Sequence, residues 1–141
     1  MSFDISVTQD LETCFALRHT VFVLEQRVPV AEEQDELDAI ATHLLAVSEG
    51  TSIGTARIVA QGEVAKIGRV CVLRSARGTG LGAALITAAV ETAQSMPGIT
   101  AAKLGAQVHA LGFYRKLGFT AQGPVYLDAG IEHRDMVRDL E

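Results

Sequence analysis

The segment Arg77-Gly78-Thr79-Gly80-Leu81-Gly82 stands between an apolar run, Val70-Cys71-Val72-Leu73, and an Ala/Leu-rich stretch that begins at Leu81. A short apolar run that ends in glycines predicts a strand leaving its sheet through a tight turn, and the stretch behind it predicts a helix. A helix in that place is the crossover that parallel neighbouring strands require, so the chain is committed to a sheet with at least one parallel pair.

Glycines at 78, 80 and 82 remove the Cβ atoms that would keep a ligand off the backbone, so several N–H groups at the helix start can point at one anion. A helix N-terminus carries roughly half a positive charge, and Arg77 adds a full one. The fit is to a pyrophosphate, although a merely structural turn reads equally well from these residues alone. A P-loop is excluded because no Lys-Ser or Lys-Thr follows the glycines. A dinucleotide fingerprint fits poorly, since the order is R-x-x-G-x-G and the next strand ends in Lys103-Leu104-Gly105 rather than near an acidic residue.

With 141 residues, 48% of them apolar, the chain has the size and the hydrophobic content of one domain with its own core. No apolar stretch approaches the ~20 residues of a membrane span, and no basic-then-apolar leader opens the chain, so a cytoplasmic protein without a membrane partner is expected. A formal net charge of −5 argues against nucleic acid as a partner and favours a small molecule. Cys14 and Cys71 lie far apart without metal-like spacing, so both are expected to be core thiols, and neither a disulfide nor a metal site is expected.

Phe3, Ile5 and Val7 alternate with polar residues and predict a first strand over residues 3–8. Leu11, Cys14, Leu17, Val21 and Leu24 recur at helical spacing and predict one helix over 10–26, stopped by Pro29, although Val21-Phe22-Val23 is locally strand-like. The acidic segment from Glu32 to Asp38 is ordinarily a solvated loop with at most a helical turn. Strands at 43–48, 53–60 and 64–73, separated by short turns, predict an antiparallel meander. A helix over 79–96 closed by Pro97-Gly98, a strand over 99–105, a short helix over 108–117 ending at Gly118, and two strands near 119–127 and 132–139 complete the chain. The class is α/β (α+β), with a mixed, largely antiparallel sheet flanked by helices in which strands four and five are parallel neighbours.

Val70-Cys71-Val72-Leu73, the R-x-x-G-x-G turn and Phe113-Tyr114-Arg115-Lys116-Leu117-Gly118-Phe119 together resemble the cofactor region of the GNAT family of N-acetyltransferases. Arg18-His19-Thr20-Val21-Phe22-Val23-Leu24-Glu25-Gln26, the segment Glu33 to Asp38, and His43 are similar to the N-terminal half of that family's small ElaA-like and YjcF-like branch. Gly130-Ile131-Glu132-His133-Arg134-Asp135-Met136 resembles the branch's Gly-x-x-His-x-x-Met ending, so the likeness covers nearly the whole chain. The resemblance implies a sheet splayed between strands four and five, acetyl-CoA as cosubstrate, and direct transfer to a small amine. It implies that the backbone of Val70, Cys71 and Val72 holds the pantetheine arm and the thioester carbonyl, while Arg77, Gly78, Thr79, Gly80, Leu81 and Gly82 hold the pyrophosphate.

Such a transfer needs a neutral amine, a held oxyanion and a protonated leaving thiolate. The resemblance places Tyr114 at the CoA sulfur as proton donor; otherwise it is an amphipathic core residue. His133 is the first choice of base, because an imidazole titrates near neutral pH and related enzymes with this ending use such a histidine. The bland alternative is a strand histidine that orients a neighbouring loop. His43, preceded by Glu33 and Asp38, is a second candidate group. Glu33 and Asp38 are also candidate acceptor-binding residues, together with Arg69, which either reaches the acceptor cleft or projects from the outer face. Cys71 is read as packing rather than as a nucleophile, and His19 and His109 as ordinary helix residues. A transferase using another acyl-CoA and a non-catalytic CoA-binding module are the rival readings. A homodimer and the identity of the acceptor are left open.

Overall fold

The computed structural model describes residues 2–140. Seven strands form one sheet in the order β1-β2-β3-β4-β5-β7-β6. They are β1 (Asp4–Thr8), β2 (Thr42–Ser48), β3 (Thr51–Gln61), β4 (Val64–Val72), β5 (Ala101–Gln107), β6 (Thr120–Asp128) and β7 (Ile131–Asp139). All neighbours are antiparallel except β4 and β5. That parallel pair is joined by the expected crossover helix, α3 (Leu81–Gln94). The mixed, mainly antiparallel sheet read from the sequence is therefore the sheet observed.

The first helical region departs from the expectation of one continuous helix. Asp10 caps α1 (Leu11–Arg18) by accepting from the Thr13 amide, and the chain then widens into a π-helical segment, His19–Glu25. The Gln26 amide bonds the Val21 carbonyl, the five-residue step of that wider helix. Pro29 does not stop this helix, because the chain has already turned at Arg27 (φ 59°); Pro29 instead precedes the single turn α2 (Val30–Glu33). A 3₁₀ turn, Glu36–Ala39, follows. Helix α3 starts at Leu81 rather than at 79, since Gly78 and Gly80 both have positive φ, which a right-handed helix excludes. Strand β5 runs two residues later than expected, and the last helix begins with a 3₁₀ turn, Val108–Ala110, before α4 (Leu111–Lys116).

Helix α3 covers one side of the sheet centre. Its buried residues Leu81, Leu85, Ile86, Ala89 and Val90 join Leu44, Ile58, Ile67 and Leu104 in the main core. Leu17 and Val21 of the first helical region pack with Cys71 in a second cluster. Both cysteines are free and buried.

The segment between the first helix and β2 is fixed by charge rather than by apolar contact. Arg18, only 1% exposed, donates to both carboxylate oxygens of Glu33 and to both of Asp38, with its shortest bond, 2.6 Å, to Glu33 Oε2. From β3, Arg57 donates to Asp38 Oδ1 at 2.9 Å and to both oxygens of Asp35. From β4, Arg69 donates to the Glu33 carbonyl at 2.9 Å and pairs with the Glu33 and Asp35 carboxylates. The expected solvated loop is thus partly buried: Glu33 and Asp38 are taken from water because guanidinium groups from three other elements replace their hydration.

Two outcomes follow from this network. Arg18→Met leaves Glu33 and Asp38 buried without their main counter-charge, and the unfolding free energy in urea should fall by about 3–5 kcal/mol. A loss below about 1 kcal/mol would show that the carboxylates rehydrate without cost. Burial alone would raise the Asp38 pKa, but hydrogen bonds from Arg18 and Arg57 outweigh it and hold the value at about 2. The folded value lies below the ordinary ~3.9, so its stabilisation is complete above that range and is lost as pH falls from about 4 to about 2. Urea titrations at pH 5 and pH 2.5 should show this loss in the native protein and a smaller one in Arg18→Met.

Candidate functional site

The sheet opens where its one parallel pair ends. Strands β4 and β5 are in register only at Val64/Ala101, Ala65/Ala102 and Lys66/Lys103. Beyond Lys103, β5 keeps its full ladder with β7, while β4 stays with β3, so the two strands part. A β-bulge sharpens the divergence. Gly68 faces Arg57 and Cys71 faces Thr55, which leaves Arg69 and Val70 opposite the single residue Ala56. Arg69 takes the left-handed conformation (φ 50°), and a bulge of this kind bends and twists its strand. The opening is a cleft of about 380 Å³.

The cleft has two walls and a bare floor. Phe22, Glu33 and Arg69 stand on one side, and Tyr126 and His133 on the other. Continuing the β4/β5 register places Gly68 level with Gly105 on the floor. A Cβ on Gly68 would meet no atom within 4 Å, whereas one on Gly105 would collide with the Tyr126 hydroxyl. A molecule entering between the strands therefore meets backbone at Gly68, and a phenol oxygen over Gly105.

The glycine turn lies at the start of α3. Gly78 (φ 77°) and Gly80 (φ 87°) carry the turn, and at neither would a Cβ meet another atom within 4 Å. The space over them is open, which is what a backbone cradle for an anion requires. The first intrahelical bond is donated by the Ala84 amide to the Gly80 carbonyl, so the amides just ahead of it have no carbonyl within the helix. Thr79 donates its hydroxyl to the Ala76 carbonyl at 2.5 Å and so braces the turn. Arg77 is committed locally: it donates to the Val72 carbonyl at 3.1 Å and pairs with Glu25 at 2.8 Å, a surface ion pair that ties the turn to the π-helical segment.

The candidate residues fall into two groups. Tyr114, His133, Arg69, Glu33 and Val70 line the cleft. Tyr114 is packed edge-on between Phe113 and Phe119, and burial raises its phenol pKa, so the hydroxyl keeps its proton at neutral pH. His133 donates from Nδ1 to the Ile131 carbonyl at 2.7 Å, because a carbonyl can only accept; the neutral ring then carries its lone pair on Nε2. Arg69 lines the cleft, and its guanidinium turns onto the acidic segment. Outside the cleft, Asp38 is held between Arg18 and Arg57, and His43 is buried on β2 with Nε2 donating to the Asp38 carbonyl at 3.0 Å. Strand β2 is two places from β4, so sequence proximity to Glu33 did not bring His43 to the opening. The Cys71 side chain packs with Leu17 and Val21, and burial pushes its thiol up to about 12, which leaves no thiolate to act as a nucleophile.

Several residues that build the site carry no local sequence signal. Arg18 and Arg57 read as helix and strand residues, and only the folded contacts reveal them as counter-charges. Tyr126 comes opposite His133 because the two-residue turn Ala129-Gly130 pairs Asp128 with Ile131 and Leu127 with Glu132, and the ladder shifts register only beyond Tyr126, toward Gln122, around Gly123-Pro124. That glycine-proline pair was the available hint of an interrupted strand.

Comparison with known proteins agrees with this geometry. The family model for the acetyltransferase (GNAT) domain matches residues 9–140. The uncharacterized N-acetyltransferase YjcF of Bacillus subtilis (strain 168) is 36% identical over 132 residues, covering 93% of this chain and 94% of its own. Protein ElaA of Escherichia coli (strain K12) is 33% identical over 141 residues, covering 97% and 92%. The crystal structure of an acyl-CoA N-acyltransferase from Pseudomonas aeruginosa shares the fold with a TM-score of 0.89 at 33% identity, covering 97% of this chain and 99% of that one. A sheet that parts beside a glycine turn, matched along almost its whole length by these relatives, places the chain in the GNAT family as an acyl-CoA-dependent transferase.

Proposed function

We propose that the protein transfers an acetyl group from acetyl-CoA directly to the nitrogen of a small amine. The observation that carries the reading is that Tyr114, a half-buried phenol, and His133, an imidazole whose Nδ1 edge is taken by the Ile131 carbonyl, line the same cleft at the parting of β4 and β5. Acetyl-CoA supplies an acyl thioester, activated toward attack by an amine. The residues present fit it: Val70, Cys71 and Val72 lie in the length of β4, from Ile67 onward, that β5 leaves unpaired, and the open backbone at Gly78 and Gly80 suits the diphosphate.

The chain's own groups then meet the two proton demands of the transfer. His133 Nε2 takes the proton that the amine must lose, and Tyr114 gives one to the departing thiolate. His43 is the weaker base candidate, because its ring is buried outside the cleft. Glu33 and Arg69 spend their charges on each other and on the network, so they shape the acceptor wall rather than offer free charge. Glu32 and Asp128 also line the cleft, and among the described residues neither has an ion-pair partner within 4 Å, which favours a cationic amine in approach.

The test is thiol release from acetyl-CoA with tryptamine, spermidine, glucosamine and lysine as acceptors, with the amide identified by mass spectrometry. Thiol release that requires an amine and yields its acetamide supports the reading; absence of amide from all four, in a protein that also fails to bind CoA by calorimetry, overturns it. Gly80→Asp should weaken CoA binding by roughly 10²-fold, since it sets a carboxylate in the open space over the turn, while Gly80→Asn, with equal backbone strain and no charge, should lose far less. Tyr114→Phe should lower kcat by ~10²–10⁴-fold with little change in acetyl-CoA affinity. His133→Ala should abolish the acidic limb of the kcat/KM profile; if His43→Ala does so instead, the base is on β2.

A further inference from the structure

We infer that Tyr126 is a positioning residue for His133, its ring packed offset against the imidazole so that Nε2 is the edge presented to the cleft. The inference rests on the reading of His133 as the proton acceptor. Tyr126 and His133 are directly opposite in the β6/β7 ladder, and their rings stack with centroids 6.0 Å apart and planes at 21°. The Nδ1 edge of His133 is already engaged by the Ile131 carbonyl at 2.7 Å. The carbonyl bond selects the tautomer, and the ring contact limits how far the imidazole can turn away from that carbonyl, so together they set the direction of the lone pair.

Tyr126 is itself held. Its hydroxyl donates to Asp135 Oδ1 at 2.8 Å, and Asp135 Oδ2 pairs with Lys103 Nζ at 3.5 Å. Burial and the Asp135 carboxylate both raise the phenol pKa, so this hydrogen bond persists through the neutral range. Asp135 stands opposite Gly105 in the β5/β7 ladder, beneath the phenol, where any side chain at 105 would strike the hydroxyl. Gly105 is at once the bare floor of the cleft and the clearance that lets Tyr126 lie across it. The chain of contacts runs from Lys103 through Asp135 and Tyr126 to His133, with members from β5, β6 and β7. Nothing in it is needed to close the core, since Tyr126 is 37% exposed and Asp135 and Lys103 are about as open.

The experiment compares Tyr126→Leu, Tyr126→Phe and Gly105→Ala in the full chain by two readouts. The first is the ¹⁵N shifts of the His133 imidazole in the free protein, assigned with His133→Ala, which report the tautomer without any substrate. The second is turnover with acetyl-CoA and the fastest of the four amines named above. Tyr126→Leu should lower kcat about tenfold, leave KM for acetyl-CoA unchanged, and convert the single Nδ1–H form into a mixture of tautomers. Tyr126→Phe keeps the stacked ring and should retain most of both signals, and Gly105→Ala, which displaces the phenol without altering it, should move both in the direction of Tyr126→Leu. Unchanged ¹⁵N shifts in Tyr126→Leu overturn the inference, whether turnover is retained or lost, since a loss would then mean that Tyr126 meets the substrate directly. If His133→Ala leaves turnover intact, the assignment of the base fails instead, and the ¹⁵N readout still decides whether Tyr126 sets the ring.

Discussion

The meeting of three guanidinium groups with three carboxylates, most of them buried, determines where one wall of the cleft stands. Arg18, Arg57 and Arg69 come from the first helix, β3 and β4, and Glu33, Asp35 and Asp38 all come from the short stretch that runs from the end of α2 to β2. An ion pair removed from water gains little net stability, because desolvation offsets most of the attraction. Its stronger effect is on alternatives, since any shift of the segment leaves a charge buried without its partner. The segment is short of apolar side chains that could anchor it, and Ile40 is largely exposed, so charge complementarity is what gives it a single position.

The same network is tied to the opening of the sheet. Arg69 occupies the bulge that turns β4 away from β5, and a left-handed conformation at a non-glycine residue costs about 1 kcal/mol or more. Its bonds to the Glu32 and Glu33 carbonyls and to the Glu33 carboxylate offset that cost. The bend in the strand, the parting from β5 and the seating of the acidic segment are therefore one arrangement, in which the site's position depends on contacts more than thirty residues apart in the chain.

That separation sets what the sequence could reveal. Strands, hairpins and the crossover helix were legible because period-two and period-3.6 patterns and their turn residues are local. The glycine turn was legible for the same reason, and its only error, a helix start two residues early, came from positive φ at Gly78 and Gly80. The widened helix at His19–Glu25 was not, since a five-residue step leaves no regular period in so short a stretch. Glu33 and Asp38 looked like solvated acids because their partners Arg18 and Arg57 lie fifteen or more residues away. His43 looked close to them and is, but strand order keeps it from the cleft. The pairing of Tyr126 with His133 follows by counting back from the turn at Ala129-Gly130, whereas Gln122 could not be paired with Asp135 that way, as the shift around Gly123-Pro124 breaks the register that counting assumes.

The two walls of the cleft differ in how firmly they are held. The wall carrying Glu33 and Arg69 is seated on buried ions, whereas β6 is an edge strand exposed along most of its length and bonded on one side only, to β7. Local opening costs least where few groups are buried, so the β6 side of the cleft, toward the turn after Asp128, is the freer of the two to move. His133 does not share that freedom. It sits on β7, which is paired to β5 as well as to β6, with Gln107 opposite it on the inner strand. The backbone of His133 is thus fixed from both sides, while the ring packed beside its imidazole comes from the edge strand. His133 is thereby carried by the rigid part of the sheet, and Tyr126 is tied back to that part through its hydroxyl on Asp135 of β7.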